Sequence, residues 1–257
     1  NALSMSAQSL RQISYVGNAA NDAEVDGDYA YVVASLNHTL FKIDLKNGGS
    51  MKTYKFAGSP NPYNICIDDE LIYVSQNVSN SLTVLSKSDL TLVTNIVLTE
   101  SGQPLGIAVD ANNIYMATSA GYVSWGSSDN YTNSRIVVIA KSNYAVVTNV
   151  SVAKNPQSIA IAGNFLFVAT SANYDNAGKI QKVNLSDYSV TDLAGINSPT
   201  ASYIKTDGIY IYVIDGSYGS GKFLVCNTNG DTLTNLLDGK NLKGIDFDNS
   251  FIYVSEG

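Results

Sequence analysis

FIYVSEG, residues 251–257, ends the chain. Its run of aromatic and β-branched residues, Phe251 to Val254, reads as a β-strand. Five upstream stretches resemble it: AYVVAS (30–35), IYVSQN (72–77), IYMATS (114–119), LFVATS (166–171) and IYVIDG (211–216). Their aromatic anchors are Tyr31, Tyr73, Tyr115, Phe167, Tyr212 and Tyr253, at spacings of 42, 42, 52, 45 and 41 residues. A period of this size, about 40–50 residues, is that of a four-stranded propeller blade.

Each unit has the same internal order. A first strand of small and aliphatic residues precedes the anchor: YNICID (63–68), LGIAVD (105–110), QSIAIAG (157–163), KGIDFD (243–248). A tight turn rich in Asp, Asn or Gly joins it to the aromatic strand. A third strand follows, as in TLFKIDLKNG (39–48), SLTVLSKSD (81–89), RIVVIAKSN (135–143), KIQKVNLSD (179–187) and KFLVCNTNG (222–230). A fourth comes after it, as in MKTYKFAG (51–58), LVTNIVLTE (92–100), VVTNVSVAK (146–154) and SVTDLAGI (189–196). No segment carries a sustained helical stripe, so the expected class is all-β, built of antiparallel hairpins.

The last unit supplies only two strands. Residues 1–17 contain two orphan strands, ALSMSAQ and SLRQISYVG, that match third and fourth strands. The expectation is one β-propeller domain over residues 1–257, with six four-stranded blades. The sixth is shared between residues 1–17 and 240–257, which pairs the chain ends and removes exposed strand edges. If the chain is cut from a longer protein, the count becomes seven.

Composition narrows the function. The chain has 257 residues, 45% of them hydrophobic, enough for a sizeable core. Only 14% are charged and the net charge is −7. With no Lys/Arg cluster, no nucleic-acid partner is expected. The longest apolar runs are strand-sized, so no membrane span is expected either. Cys66 and Cys226 sit in separate strands and read as unpaired thiols.

The pattern QPLGIAVDANNIYMATS…RIVVIAKSNYAVVTNVSVAKNPQSIAIAGNFLFVATS, residues 103–119 and 135–171, resembles the YVTN-type repeats of surface-layer β-propeller proteins. The resemblance covers nearly the whole chain. Where those repeats have YVTN or YVAN, this chain has YVSQN, YMATS and FVATS. The motif specifies blade structure and no catalytic group. It implies a non-enzymatic propeller without a cofactor, located outside the cytoplasm and associated with the cell envelope. The implied roles are adhesion, surface-layer packing or capture of a small molecule, glycan or protein partner.

Several apparent catalytic motifs are decoys. His38 is the single histidine, in the loop after the second strand of the first unit, so a Ser-His-Asp site or a histidine metal cluster has little to draw on. GSYGSGKF (216–223) fits part of a phosphate-binding loop, but Phe follows the Lys and a strand follows the Phe. Asp68, Asp110 and Asp248 recur at the turn between strands one and two, where Asp bonds its own backbone.

Two places are candidate sites. Glu24, Cys66, Ala108, Ala160, Lys205 and Asp246 share one position on the innermost strands, so Glu24, Lys205 and Asp246 are expected to meet beside the channel. That cluster is either a polar, ion-binding side of the channel or a charge cluster that closes the ring. With Asn64, Glu24 and Asp246 also form the candidate ligand set of an alternative function, a metal-assisted lactonase, although Lys205 would repel a cation there. The second candidate is the loop face of blades three to five, which carries Tyr122, Trp125, Asp129, Tyr131, Tyr174, Asp175 and Tyr218. Exposed aromatics beside Asn, Asp and Ser suit flat, polar ligands.

Overall fold

A computed structural model describes residues 17–47, 50–100, 102–121, 123–124, 127, 129–171, 177–196, 198, 200–216, 220–247 and 251–256. Strands form where the period-two pattern places them. Blade one is β1 (Ala20–Asp26), β2 (Tyr29–Ala34), β3 (Thr39–Asp44) and β4 (Met51–Lys55). Blade two is β5 (Pro62–Ile67), β6 (Leu71–Gln76), β7 (Ser81–Ser86) and β8 (Leu92–Val97). Blade three is β9 (Pro104–Val109), β10 (Asn113–Thr118), β11 (Arg135–Ala140) and β12 (Val146–Ser151). Blade four is β13 (Pro156–Ala162), β14 (Phe165–Thr170), β15 (Ile180–Asn184) and β16 (Val190–Asp192). Blade five is β17 (Ala201–Thr206), β18 (Tyr210–Asp215), β19 (Gly221–Asn227) and β20 (Thr232–Lys240). A two-stranded sheet of β21 (Leu242–Phe247) and β22 (Ile252–Glu256) follows.

Every sheet is an antiparallel meander, and first strands of successive sheets pack against one another. That makes the first strands a hub and the fourth strands a rim, the arrangement of a β-propeller. The expected count of six complete blades is corrected. Five four-stranded blades are described, and the sixth sheet has two strands. The two strands expected to complete it fall in residues 1–16, outside the described residues.

The core lies between blades, and the anchors are its centre. Tyr31 packs on Ile65 and Ile72 of blade two, and Tyr73 on Ile107 and Ile114 of blade three. Tyr115 meets Ile159 and Leu166, Phe167 meets Ile204 and Ile211, and Tyr212 meets Leu242 and Ile245. These five anchors are 0–6% exposed. A large apolar side chain in such a place contributes about 2–3 kcal/mol by burial. Tyr253, the sixth anchor, is 48% exposed.

The turn aspartates do more than close their own turns. Asp68 Oδ1 accepts from the backbone N–H groups of Glu70 and Leu71, and its Oδ2 accepts from Tyr73 Oη at 2.7 Å. Asp110 and Tyr115 repeat this at 2.7 Å, as do Asp207 and Tyr212. Blade four has Ala162 at the aspartate position and Phe167 as anchor, so carboxylate and hydroxyl are absent together. Asp248 lies outside the described residues. Lysines extend the turns between blades. Lys87 donates to Asp68 O at 2.8 Å and pairs with Asp26 of blade one at 2.7 Å. Lys141 donates to Asp110 O and pairs with Asp68 of blade two at 2.5 Å. Although burial raises the Asp68 pKa, Lys141 and Tyr73 hold it down at about 2.

Candidate functional site

The expected alignment at the hub is what the register shows. Glu24 pairs with Tyr31, Cys66 with Tyr73, Ala108 with Tyr115, Ala160 with Phe167, Lys205 with Tyr212 and Asp246 with Tyr253. Lys205 Nζ lies 3.3 Å from Asp246 Oδ1, and the two side chains keep 39% and 49% of their accessibility. Glu24 belongs to the same cluster. Burial pushes its carboxyl up to about 7, helped by Asp22 and Asp246 and opposed by Lys205. Burial disfavours the Lys205 charge, but Asp246, Glu24 and Asp22 outweigh it and hold its pKa above the ordinary value.

Asp22 is the hub residue that sequence reasoning missed. It shares a position with Asn64, Gly106, Ser158, Tyr203 and Gly244, nine residues before each anchor. In blades one, two and four this position tethers the blade to the next. The Ile65 N–H donates to Asp22 Oδ2 at 3.0 Å, the Ile107 N–H to Asn64 Oδ1 at 2.9 Å, and the Ile204 N–H to Ser158 Oγ at 3.2 Å. At Gly106 the backbones themselves approach. A Cβ there would lie 2.9 Å from Gln157 O and from Ser158 Cα. Burial pushes the Asp22 carboxyl up to about 6, against the Ile65 N–H and Lys205, which lower it.

This geometry argues against the lactonase ligand set. Asn64 Nδ2 donates to Asp22 at 2.5 Å while its Oδ1 takes the Ile107 N–H, so both ends of the amide are engaged. Asp246 faces Lys205. Among the described residues, no group of three or more His, Cys, Asp and Glu is arranged to hold a metal ion. Burial, with Glu24 nearby, pushes the Cys66 thiol up to about 12, which makes it a poor nucleophile.

The loop face is only partly described. Tyr122, Trp125, Tyr174, Asp175 and Tyr218 lie outside the described residues. Asp129 is exposed and Tyr131 half-buried, both on the long β10–β11 connection. Asn130 between them builds that loop. Its Oδ1 accepts from the Val123 and Ser124 N–H groups, and its Nδ2 donates to Ser124 O. Asn130 is 4% exposed, so its side chain is closed off from solvent. His38 is half-buried, and its Nδ1 is buried without a hydrogen-bond partner.

A groove of about 570 Å³ separates blades one and two at the turn end. Its cations are engaged: Lys42 Nζ donates to Lys87 O at 2.6 Å and sits 4.6 Å from the Tyr29 ring, while Lys87 pairs with Asp26.

No protein-family model matches the chain, and no curated protein sequence matches it. Solved structures do. A streptogramin B lyase structure superposes with a TM-score of 0.72 at 13% identity, over 94% of this chain and 78% of that one. The chain has a β-propeller fold. BamB from Moraxella catarrhalis gives 0.60 at 15% identity, over 91% and 68% of the two chains. A nidogen/laminin complex gives 0.59 at 14% identity, over 81% and 75%. At these identities the likeness concerns the fold, which hosts enzymes and binding modules alike. Among the described residues no helix is long and apolar enough to cross a membrane.

Proposed function

We propose that this is a non-catalytic, extracytoplasmic binding propeller of the YVTN-repeat, surface-layer kind. It takes a small-molecule, glycan or protein partner on the loop face of blades three to five. The observation that carries the reading is the contrast between repeated and unrepeated polar groups. The repeated ones, the turn aspartates and the hub Asp22, Asn64 and Ser158, are bonded to backbone and anchors and hold blades together. The β10–β11 connection is unrepeated, and within it the buried Asn130 ties down Val123 and Ser124 while Asp129 is exposed. Long loops on a rigid scaffold commonly carry binding function. The nidogen/laminin neighbour, itself a protein complex, supports a protein among the possible partners.

The test is a binding screen of the purified chain against a glycan array and cell-envelope fractions, repeated with Trp125→Ala and Asp129→Ala. The reading requires at least one specific ligand whose affinity falls about tenfold or more in both variants while their melting curves match the parent. A ligand that both variants bind as well as the parent does would overturn the loop-face assignment.

A further inference from the structure

Blades two and three differ at the rim in a way that packing does not explain. In blade two, Asn95 of β8 lies opposite Thr83 of β7, and the Thr83 hydroxyl donates to Asn95 Oδ1 at 2.9 Å. The equivalent pair in blade three is Asn149 of β12 and Val137 of β11. Valine has no hydroxyl, so the asparagine is kept while its partner is gone. Two residues further on, Ser151 stands where blade two has Val97. The change creates Asn149-Val150-Ser151, an N-x-S/T sequence of the kind that accepts a glycan.

The chain has five such sequences, and the structure separates them. Asn130 is buried, with both ends of its amide bonded inside the β10–β11 connection. Asn184 Oδ1 accepts from Asn164 Nδ2 and from the Ser186 N–H, and Ser186 Oγ accepts from Asn164 Nδ2 as well. Asn37 Oδ1 accepts from the Asn18 N–H, and Thr39 is buried with its hydroxyl donating to Asn37 O. Ser79, two residues after Asn77, donates to Gln76 Oε1. Asn149 and Ser151 are different. Both are exposed on one face of β12, with the buried Val150 turned the other way. Among the described residues neither side chain has a hydrogen-bond partner. β12 also pairs on one side only, so these three residues are held extended with one backbone edge open to an enzyme.

We propose that Asn149 is an acceptor for an N-linked glycan. Asn149 Nδ2 attacks C1 of the first sugar of a polyprenyl-diphosphate oligosaccharide. The N–C bond forms and the bond from C1 to the diphosphate oxygen breaks. The lipid diphosphate leaves with the electron pair, and the amide gives one proton to a base of the transferase. Transfer from such a donor takes place outside the cytoplasm, so the inference rests on the extracytoplasmic part of the proposed function. The loop face plays no part in it.

The test is transfer to the purified, folded chain by a single-subunit oligosaccharyltransferase with its lipid-diphosphate donor, with the modified residues mapped by mass spectrometry of glycopeptides. Synthetic peptides of the five sequences give the rate that each supports without a fold. The folded chain is expected to be modified at Asn149 and left unmodified at Asn130 and Asn184, although the peptides of all three react. Asn149→Gln and Ser151→Ala are each expected to abolish the modification at this site, and Ser151→Thr to preserve it. Asn149→Gln should melt with the parent, because its side chain has no partner to lose. A folded chain unmodified at Asn149, or one modified at Asn130 and Asn184 as fast as at Asn149, overturns the proposal. The assay depends neither on the loop face nor on where the chain resides, so a negative result removes this site and leaves the binding reading standing.

Discussion

The Tyr–Asp turn clasp makes a prediction that this chain partly controls by itself. In blade three, Tyr115 Oη donates to Asp110 Oδ2 at 2.7 Å, while Asp110 Oδ1 holds the Asn112 and Asn113 N–H groups at 2.7 Å. Burial first, and then Asp110, raises the Tyr115 pKa, so the hydroxyl stays a donor at every ordinary pH. Tyr115→Phe removes one charge-assisted bond from an aspartate that keeps its backbone donors. Such bonds contribute about 1.5–3 kcal/mol, and the lower end applies here because Asp110 is half-buried rather than buried. Asp110→Ala loses the turn bonds as well and should cost about 2–3 kcal/mol. In the double variant the two losses overlap, with a coupling of about 1 kcal/mol. Blade four is the reverse experiment. Phe167→Tyr alone buries an unpaired hydroxyl and should destabilise by about 1–3 kcal/mol. Adding Ala162→Asp supplies the acceptor and should recover that loss. Urea unfolding followed by tyrosine fluorescence measures each value, and about 1 kcal/mol corresponds to 2–4 °C in Tm for a domain near this size. A Tyr115–Asp110 coupling indistinguishable from zero, together with no rescue of Phe167→Tyr by Ala162→Asp, would refute the clasp as a stabilising unit.

The hub predicts a pH dependence. The folded pKa values of Asp22 and Glu24 are raised from 3.8 to about 6 and from 4.5 to about 7. Their contribution is complete below the unfolded values and is lost as pH rises through about 6 to 7. Asp68, depressed to about 2, works in the opposite direction and loses its contribution as pH falls below about 4. Tm should therefore peak near pH 4–5, and Glu24→Gln should flatten the decline between pH 5 and 7.5 by up to about 3 kcal/mol; an unchanged slope in that variant would locate the effect elsewhere. Gly106→Ala should destabilise by about 1–3 kcal/mol, because its Cβ meets the blade-four backbone at 2.9 Å, and a neutral Tm would show that the hub yields there. Asn130→Ala should leave the unfolding midpoint within about 1 kcal/mol of the parent while speeding proteolysis of the β10–β11 connection; protection equal to the parent would mean that its three bonds do not hold the loop.

Repetition decides which parts of this molecule can be read from sequence. The anchors were legible because Tyr31, Tyr73, Tyr115, Phe167 and Tyr212 answer the same packing demand five times, and the period is the imprint of that demand. The Glu24, Lys205 and Asp246 position was legible by alignment for the same reason. Asp22 was not. Its position holds Asp, Asn, Gly, Ser and Tyr in turn, so it looks unrelated from unit to unit. What Asp22, Asn64, Ser158 and Gly106 share, acceptance of the N–H of the next blade's first strand or close backbone approach to it, exists only between blades. The Lys141–Asp68 bridge escaped notice likewise, because its partners are 73 residues apart. The β8 and β12 stretches were visible as fourth strands.

A position that recurs in most blades answers a need that every blade has, which is to pack on its neighbours, close its turn and satisfy its backbone. Turn aspartates, anchor hydroxyls and hub acceptors all meet that description, and each is found bonded within the fold. Function that belongs to this chain and not to propellers in general must therefore lie where blades differ. They differ in three places. The β10–β11 connection is the longest excursion from the repeat, the charged arc of Glu24, Lys205 and Asp246 occupies one side of the hub, and the uncharged edges occupy two neighbouring rim strands. The hub arc closes on itself through the Lys205–Asp246 pair, and its carboxylates face a lysine rather than an open coordination site. The loop and the rim point outward. A scaffold rigid at its centre and particular at its periphery is suited to holding a partner in fixed relation, and Trp125→Ala is the substitution that tests the loop for that role.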